Sequence, residues 1–330
     1  MPVVSSAKLV DNLFDEVNIK RVGTRDGYGE GLVELGKLND QVVVLCADLS
    51  ESTRSQLFQK AFPDRYVEIG VAEQNLITVG AGLAAVGKIP YMASYAAFAP
   101  GRCWEQIRTT FGYNNLHGVV AGAHAGVSVG PDGATHQAVE DIATMRTIAN
   151  CKVLVPSDSV RAKQATVATI TEPHLWYIRF GRDKYPIFTT AKTPFTVGQA
   201  EVFHTGSDVT VVACGPMVYE ALLAAHELEA QGIGVEVIDA TTIKPLDEAT
   251  IVASVSKTRA VVTAEEASVI GGLGGATAEL LGRTQPAPME FIGMQDHYGE
   301  SGSADELLDK FGMKAKHISA AVQRVLKRKR

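Results

Sequence analysis

Cysteine is scarce in this chain. The four present, Cys46, Cys103, Cys151 and Cys214, lie far apart with no CxxC pair, which excludes a disulfide framework and a cysteine zinc site. Each falls in or beside an apolar stretch and reads as a small buried hydrophobe. A basic surplus is missing as well. The formal net charge is −6, the wrong sign for a protein whose main partner is nucleic acid, and the basic end at 327–330, KRKR, reads as a solvated helix end. No uninterrupted hydrophobic run of membrane length occurs: the most apolar stretch, 76–100, is broken by Lys88 and Pro90 and rich in glycine. The first twenty residues carry Lys8, Asp11, Asp15 and Glu16 among short apolar groups, so no secretory leader is expected and the expected location is the cytoplasm. HExxH, the dinucleotide pattern GxGxxG and the phosphate loop GxxxxGK(S/T) are all lacking, as are internal repeats and low-complexity tracts. A zinc protease and a Rossmann dehydrogenase are thereby disfavoured.

What is present describes a folded α/β protein. With 46% hydrophobic and 21% charged residues the chain is an ordinary globular one, and 330 residues exceed one comfortable core, so two domains are expected. Residues 24–38 have helical spacing with Thr24 as a plausible cap. QVVVLC at 41–46 is a β-branched run suited to a strand buried on both faces. Further strands are predicted at 65–68, 88–92, 118–121, 152–155 and 175–178, with helices at 76–86, 104–113, 137–149 and 159–171 between them. This alternation predicts an open, mostly parallel sheet. The segment 186–195, with two prolines and three threonines, is the best linker. Beyond it a second α/β unit follows, with strands at 209–213, 235–239, 260–263 and 290–293 and helices at 218–230, 247–256, 275–281 and 303–311. The fold class is therefore two open, mostly parallel sheet domains, 1–190 and 191–330.

Ligands of open parallel sheets sit outside the carboxyl ends of the strands. Collecting polar residues there gives Asp48 and Ser50 after the first strand, Glu73 after the second, and Ser94, Tyr95 and Phe98 after the third. The fourth strand leads to His124 and the loop AGVSVGPDGATHQ with Asp132 and His136, and the last to Arg179 and Arg182. Glu73 is a lone carboxylate entering a nearly uncharged run, which must either face water or have its proton affinity tuned. With Tyr95 and Phe98 it suits a flat heteroaromatic ligand, sharing a proton with a ring nitrogen. His124, Asp132 and His136 lie among Gly122, Gly126, Gly130 and Gly133, a loop able to fold over a ligand and grip hydroxyls. The arginines could chelate a phosphate, although Arg179, following the apolar LWYI, could equally pair with a sheet-edge carboxylate. GGLGG at 271–275 matches no phosphate motif and is assigned to a tight turn entering a helix.

Taken together, RYVEIGVAEQN, the Tyr95/Phe98 pair, HAGVSVGPDGATHQ, RFGRDKYP and IKPLD resemble transketolase, and most closely the separately encoded C-terminal subunit of split transketolases. The resemblance runs from about Thr24 through the second unit. It implies thiamine diphosphate chemistry, with a pyrimidine-binding domain followed by a transketolase C-terminal domain. Glu73 would contact the aminopyrimidine and drive formation of the reactive ylid, Tyr95 and Phe98 would stack around that ring, and Asp48 would lie near the thiazolium. His124 would meet the acceptor's phosphate or hydroxyls. Asp132 would read a donor hydroxyl, and His136 would bind the hydroxyl beside the donor carbonyl and assist proton transfer. Arg182 matches the arginine that holds the sugar phosphate, with Arg179 as a companion. A third pocket aromatic of the family falls at Gly101.

The family's diphosphate and metal motif, GDG followed by a distant Asn, is absent: 130–133 reads GPDG without such an Asn, and Arg25-Asp26-Gly27 also fails. The resemblance thus implies half an enzyme. A partner subunit would hold the diphosphate and a Mg²⁺ or Ca²⁺ ion in an α₂β₂ assembly serving sugar-phosphate (pentose phosphate) metabolism. The β subunits of 2-oxo acid dehydrogenases and deoxyxylulose-phosphate synthase share parts of the pattern. A non-catalytic α/β regulatory subunit is the reading from outside the enzymes.

Overall fold

The computed structural model describes residues 3–329. In chain order the strands are β1 (Arg21–Gly23), β2 (Val42–Cys46), β3 (Tyr66–Glu68), β4 (Ile89–Tyr95), β5 (Gly118–Ala123), β6 (Cys151–Leu154), β7 (Leu175–Arg179) and β8 (Lys184–Pro186). The second unit adds β9 (Glu201–His204), β10 (Val209–Ala213), β11 (Val235–Asp239), β12 (Thr242–Lys244), β13 (Val261–Ser268) and β14 (Met289–Met294). Two open sheets result, as the alternation predicts. One has the order β12-β6-β7-β5-β4-β2-β3 and the other β14-β13-β10-β11-β9, while β1 and β8 form a short antiparallel ribbon. All neighbours in the two large sheets are parallel except β12 against β6 and β9 against β11. Every residue of β2, β5, β7, β10 and β11 is buried, because helices cover both faces of a parallel sheet.

The departures from the sequence reading have local causes. Thr24 does not cap its helix, Thr24–Leu38. Gly23 occupies that place, and the Thr24 hydroxyl instead accepts the Gly181 N–H at 2.9 Å. That helix packs tightly on Ser159–Ala168, since a Cβ on Gly27 would lie 1.9 Å from the Ser159 carbonyl oxygen. The helix expected at 137–149 shrinks to Asp141–Arg146, because residues 137–139 are spent on bonds to other segments: the Gln137 side chain donates to Val127 O and Glu300 O, and the Ala138 carbonyl accepts the Gly126 N–H. The linker is not slack. Asp158 accepts hydrogen bonds from the backbone N–H groups of Phe188 and Thr189, and both residues are buried. At the end of the chain, the helix Ala315–Arg328 is tied down by Arg328 pairing with Glu290 at 2.8 Å and by Lys329 donating to Asp208 O, so the basic end is only partly solvated; Arg330 lies outside the described residues. All four cysteines are free and buried.

Candidate active site

The carboxyl edge of the seven-stranded sheet brings most of the predicted site together. Glu73 is the first residue of the helix Glu73–Ala85, which begins three residues earlier than its apolar pattern suggests. Its side chain is 2% exposed, and its Oε2 accepts a hydrogen bond from Arg102 Nη1 at 2.9 Å. That guanidinium lies over the Phe98 ring, 4.8 Å from its centroid, a cation–π contact that helps hold the pair in place. Burying a carboxylate costs little only when it is paired, so Arg102 explains how an apolar run tolerates Glu73. Burial, and then the neighbouring Glu73 charge, push the Cys103 thiol up to about 12.

β4 runs to Tyr95, and a tight turn follows in which the Phe98 and Ala99 N–H groups both donate to Tyr95 O at 2.8 Å. This sets the two rings side by side, with centroids 5.9 Å apart. β5 ends at Ala123, and the next residue, His124, has a positive φ of 54° that turns its ring back over the edge. There it stacks on Tyr95 at 4.0 Å. His136 meets Phe98 and Tyr95 edge-on at 5.3 and 6.1 Å. Glu73, Arg102, Phe98, His136, Tyr95 and His124 therefore form one continuous set of contacts. A side chain at Gly101 would have room, its nearest neighbour being Ala96 O at 3.5 Å from a Cβ. The missing third aromatic is thus not forced by crowding, and the adjacent Arg102 covers the Phe98 face in this chain.

His124 is 2% exposed, with Nδ1 unpartnered among the described residues. Burial lowers its pKa to about 3, and the charges of Arg25, Arg182, Arg54 and His136 add to the effect. The ring is therefore a neutral hydrogen-bonding group beside a cationic cluster. Arg182 Nη1 donates to Val129 O at 2.9 Å and stands 3.8 Å from Asp132 Oδ1, which places Asp132 at the rim of the same cluster. Asp48 is exposed at the end of β2 with φ 55°. Its N–H is fixed by Glu68 Oε1 at 2.7 Å, and its carboxylate makes no ion pair among the described residues.

Arg179 does not join the cluster. It is 4% exposed; Nε donates to Asp141 Oδ2 at 2.8 Å and Nη2 to Glu266 O at 2.7 Å. It is the partner of a sheet-edge carboxylate, and its donors are turned into the junction between the two sheets rather than toward a phosphate. Three cations that the sequence reading did not single out take part instead: Arg25, Arg54 and Arg102. Arg54 is held by Asp26 at 2.6 Å, and Arg25 donates to Ser52 O at 3.2 Å while its Nε has no partner among the described residues. Arg25 belongs to the very Arg-Asp-Gly triplet that fails as a diphosphate motif, and Arg102 follows the glycine at which an aromatic is expected. Among the described residues no group of three or more His, Cys, Asp or Glu side chains could hold a metal ion, and no helix is long and apolar enough to cross a membrane.

The transketolase pyrimidine-binding domain matches residues 20–187, more than half of the chain, and the transketolase C-terminal domain matches 198–318. The chain belongs to the transketolase family. It is a transketolase-type subunit of the split-gene kind. The 6-deoxy-6-sulfo-D-fructose transketolase subunit of a Clostridium species is 42% identical over 95% of this chain and 98% of its own length. A split-gene transketolase solved as an inactive β4 tetramer is 45% identical, with a TM-score of 0.88 over 94% of this chain and all of that one. Transketolase-like protein 2 of Mus musculus is 39% identical over 92% of this chain, which spans 48% of that longer protein. Transketolases of this domain composition depend on thiamine diphosphate, and the transferase assignment follows with the family.

Proposed function

We propose that this transketolase subunit moves a two-carbon ketol unit from a ketose phosphate to an aldose phosphate, and does so only with a partner subunit. One observation carries the reading: a buried carboxylate, Glu73, adjoins Phe98, Tyr95 and two histidines at the carboxyl edge of a parallel sheet, with three arginines around His124. These residues fit the aminopyrimidine end of thiamine diphosphate. Tyr95 and Phe98 offer faces for a flat ring, and Glu73 sets a buried carboxylate beside them, the group type that can hydrogen-bond a ring nitrogen and pass it a proton. When bound, the cofactor supplies an electron sink for cleaving the bond next to a carbonyl.

The chain's own groups then orient the sugar. His136 binds the hydroxyl beside the donor carbonyl and moves its proton, and Asp132 accepts a hydrogen bond from a neighbouring hydroxyl. Arg182, with Arg25 and Arg54 near it, holds the terminal anion, and neutral His124 hydrogen-bonds the acceptor. Asp48 lies toward the thiazolium side. The diphosphate end does not fit this chain, which has neither GDG with a downstream Asn nor a metal-holding cluster among the described residues. We assign it, with Mg²⁺ or Ca²⁺, to the partner in an α₂β₂ assembly; a β4 relative that is inactive supports that need. We place the domain boundary at residue 190 and the protein in the cytoplasm, acting in carbohydrate metabolism.

A sulfonated donor is the second reading, favoured by the Clostridium relative's substrate; both anions would meet the same guanidinium groups. Ketol transfer is measured with this chain alone and combined with a GDG-bearing partner, using phosphorylated and sulfonated ketoses in parallel. The chain alone is expected to be inactive, and Glu73→Gln in the complex to lose roughly 10²-fold or more in kcat. Full activity without the partner would sink the proposal, as would equal activity of Glu73→Gln and wild type. A complex that binds no thiamine diphosphate would identify a regulatory subunit.

A further inference from the structure

The loop that carries Asp132 and His136 contains three glycines in the left-handed region, Gly126, Gly130 and Gly133. Such a loop loses much freedom when it adopts one shape, so its fastenings decide where the two functional side chains stand. Several come from the C-terminal domain, and two of them involve Glu266 of β13, which is 2% exposed. Its Oε1 accepts the Ser128 N–H at 2.7 Å, and the Ser128 hydroxyl bonds the Tyr185 hydroxyl. Gly126 leaves the space the carboxylate occupies, since a Cβ there would lie 2.3 Å from Oε1. At the other end of the loop, the Glu266 carbonyl accepts from Arg179 Nη2, which also donates to Ala138 O at 3.3 Å, while Arg179 Nε holds Asp141. Gln137 completes the closure by reaching Glu300 O at 2.9 Å. Glu266 thus holds the flank at 126–128 directly through its side chain, and supports the flank at 138–141 through its main-chain carbonyl, which fixes Arg179.

We infer that Glu266 is the positioning residue of the substrate loop, through which the C-terminal domain sets the donor selectivity exerted by Asp132 and His136. Burial raises the Glu266 pKa and the Arg179 charge opposes that rise; in either protonation state Oε1 can accept the Ser128 N–H and fix the loop to the junction. The selectivity half of this inference rests on the ketol-transfer reading, and the loop-fixing half does not.

The experiment compares wild type, Glu266→Ala, Glu266→Gln and Tyr185→Phe as full chains, with the partner present. Amide hydrogen exchange is read across residues 126–137. Exchange in Glu266→Ala is expected to rise about tenfold there and not in β10, with Gln within about threefold of wild type and Tyr185→Phe affecting mainly 126–129. In parallel, kcat/KM is measured for two ketose phosphates differing only in the configuration of the carbinol carbon beside the carbonyl. Their ratio is expected to fall about threefold or more in Glu266→Ala and to recover in Gln. Unchanged exchange at 126–137, or a uniform rise across the whole chain, overturns the inference. Local exchange with an unaltered donor ratio overturns its selectivity half. If the alanine variant fails to fold, Glu266→Asp, whose shorter side chain draws back from Ser128, decides by the same two measurements. Local exchange in a wild-type complex that transfers no ketol unit supports the loop fixing and removes the reaction reading instead.

Discussion

At the scale of the residue, His124 shows how burial and charge act together. Its ring is 2% exposed, and guanidinium groups from Arg25, Arg182 and Arg54 bear on it, so both desolvation and repulsion oppose a second proton. With its pKa lowered from 6.5 to about 3, the folded protein binds fewer protons than the unfolded chain in acid. The stability this group contributes is present above 6.5 and is lost as pH falls toward about 3. Imidazole resonances followed by NMR are expected to show His124 neutral from pH 5 to 8, and a ring that titrates in that window would contradict the electrostatics described. Glu73 stood out in the sequence as a lone carboxylate in an apolar run. That run alone suits a water-facing helix entry, and its place after a strand beside two aromatics was needed to mark it as a site residue. Its partner was not legible. Arg102 is one of many surface arginines until the turn after Tyr95 folds it back over Phe98. Arg179 shows the same limit from the other side: its apolar neighbours leave phosphate binding and structural pairing equally open, and only the position of Asp141 chooses between them.

At the scale of the element, Glu265 settles what the glycine-rich segment at 271–275 does. Its carboxylate accepts the N–H groups of Leu273 at 2.7 Å and Gly274 at 2.8 Å, at the start of the helix Leu273–Arg283. A helix N-terminus favours a carboxylate, and here the protein supplies its own carboxyl, which burial pushes up to about 7 against the lowering effect of the two N–H bonds. The tight-turn reading holds, with Gly271 at φ 77°. Replacing Glu265 by Ala leaves two buried donors unpaired and removes the cap. It is expected to cost about 2–4 kcal/mol in urea denaturation at neutral pH, and a loss below about 0.5 kcal/mol would refute the capping role. Strands such as β10 and β11 were legible to the residue, since a continuous β-branched run between turn residues has few other outcomes. The segment 137–140 was not, because its helical periodicity is overridden by bonds to Gly126, Val127 and Glu300, segments up to 163 residues away.

At the scale of the whole molecule, the two domains are interlocked rather than merely adjacent. Arg161, fully buried in the first, donates to Pro194 O at 2.6 Å and pairs with Glu201 at 3.2 Å and Asp239 at 3.6 Å in the second. Lys244 closes the helix Asp141–Arg146 by donating to Arg146 O and Ile148 O. Scanning calorimetry of the chain is therefore expected to give one unfolding transition whose calorimetric and van't Hoff enthalpies agree, and two resolved peaks would contradict the interlock. None of this was visible beforehand, because a three-residue strand such as β12 carries too short a pattern to read and its pairing partner lies in another domain. β12 also covers the outer edge of β6, an edge that would otherwise be free to recruit foreign strands. The peptide that joins the domains is thus redundant as a tether: a chain nicked near Lys192 would migrate as one body, its halves held by strand pairing and buried ion pairs in place of the covalent link.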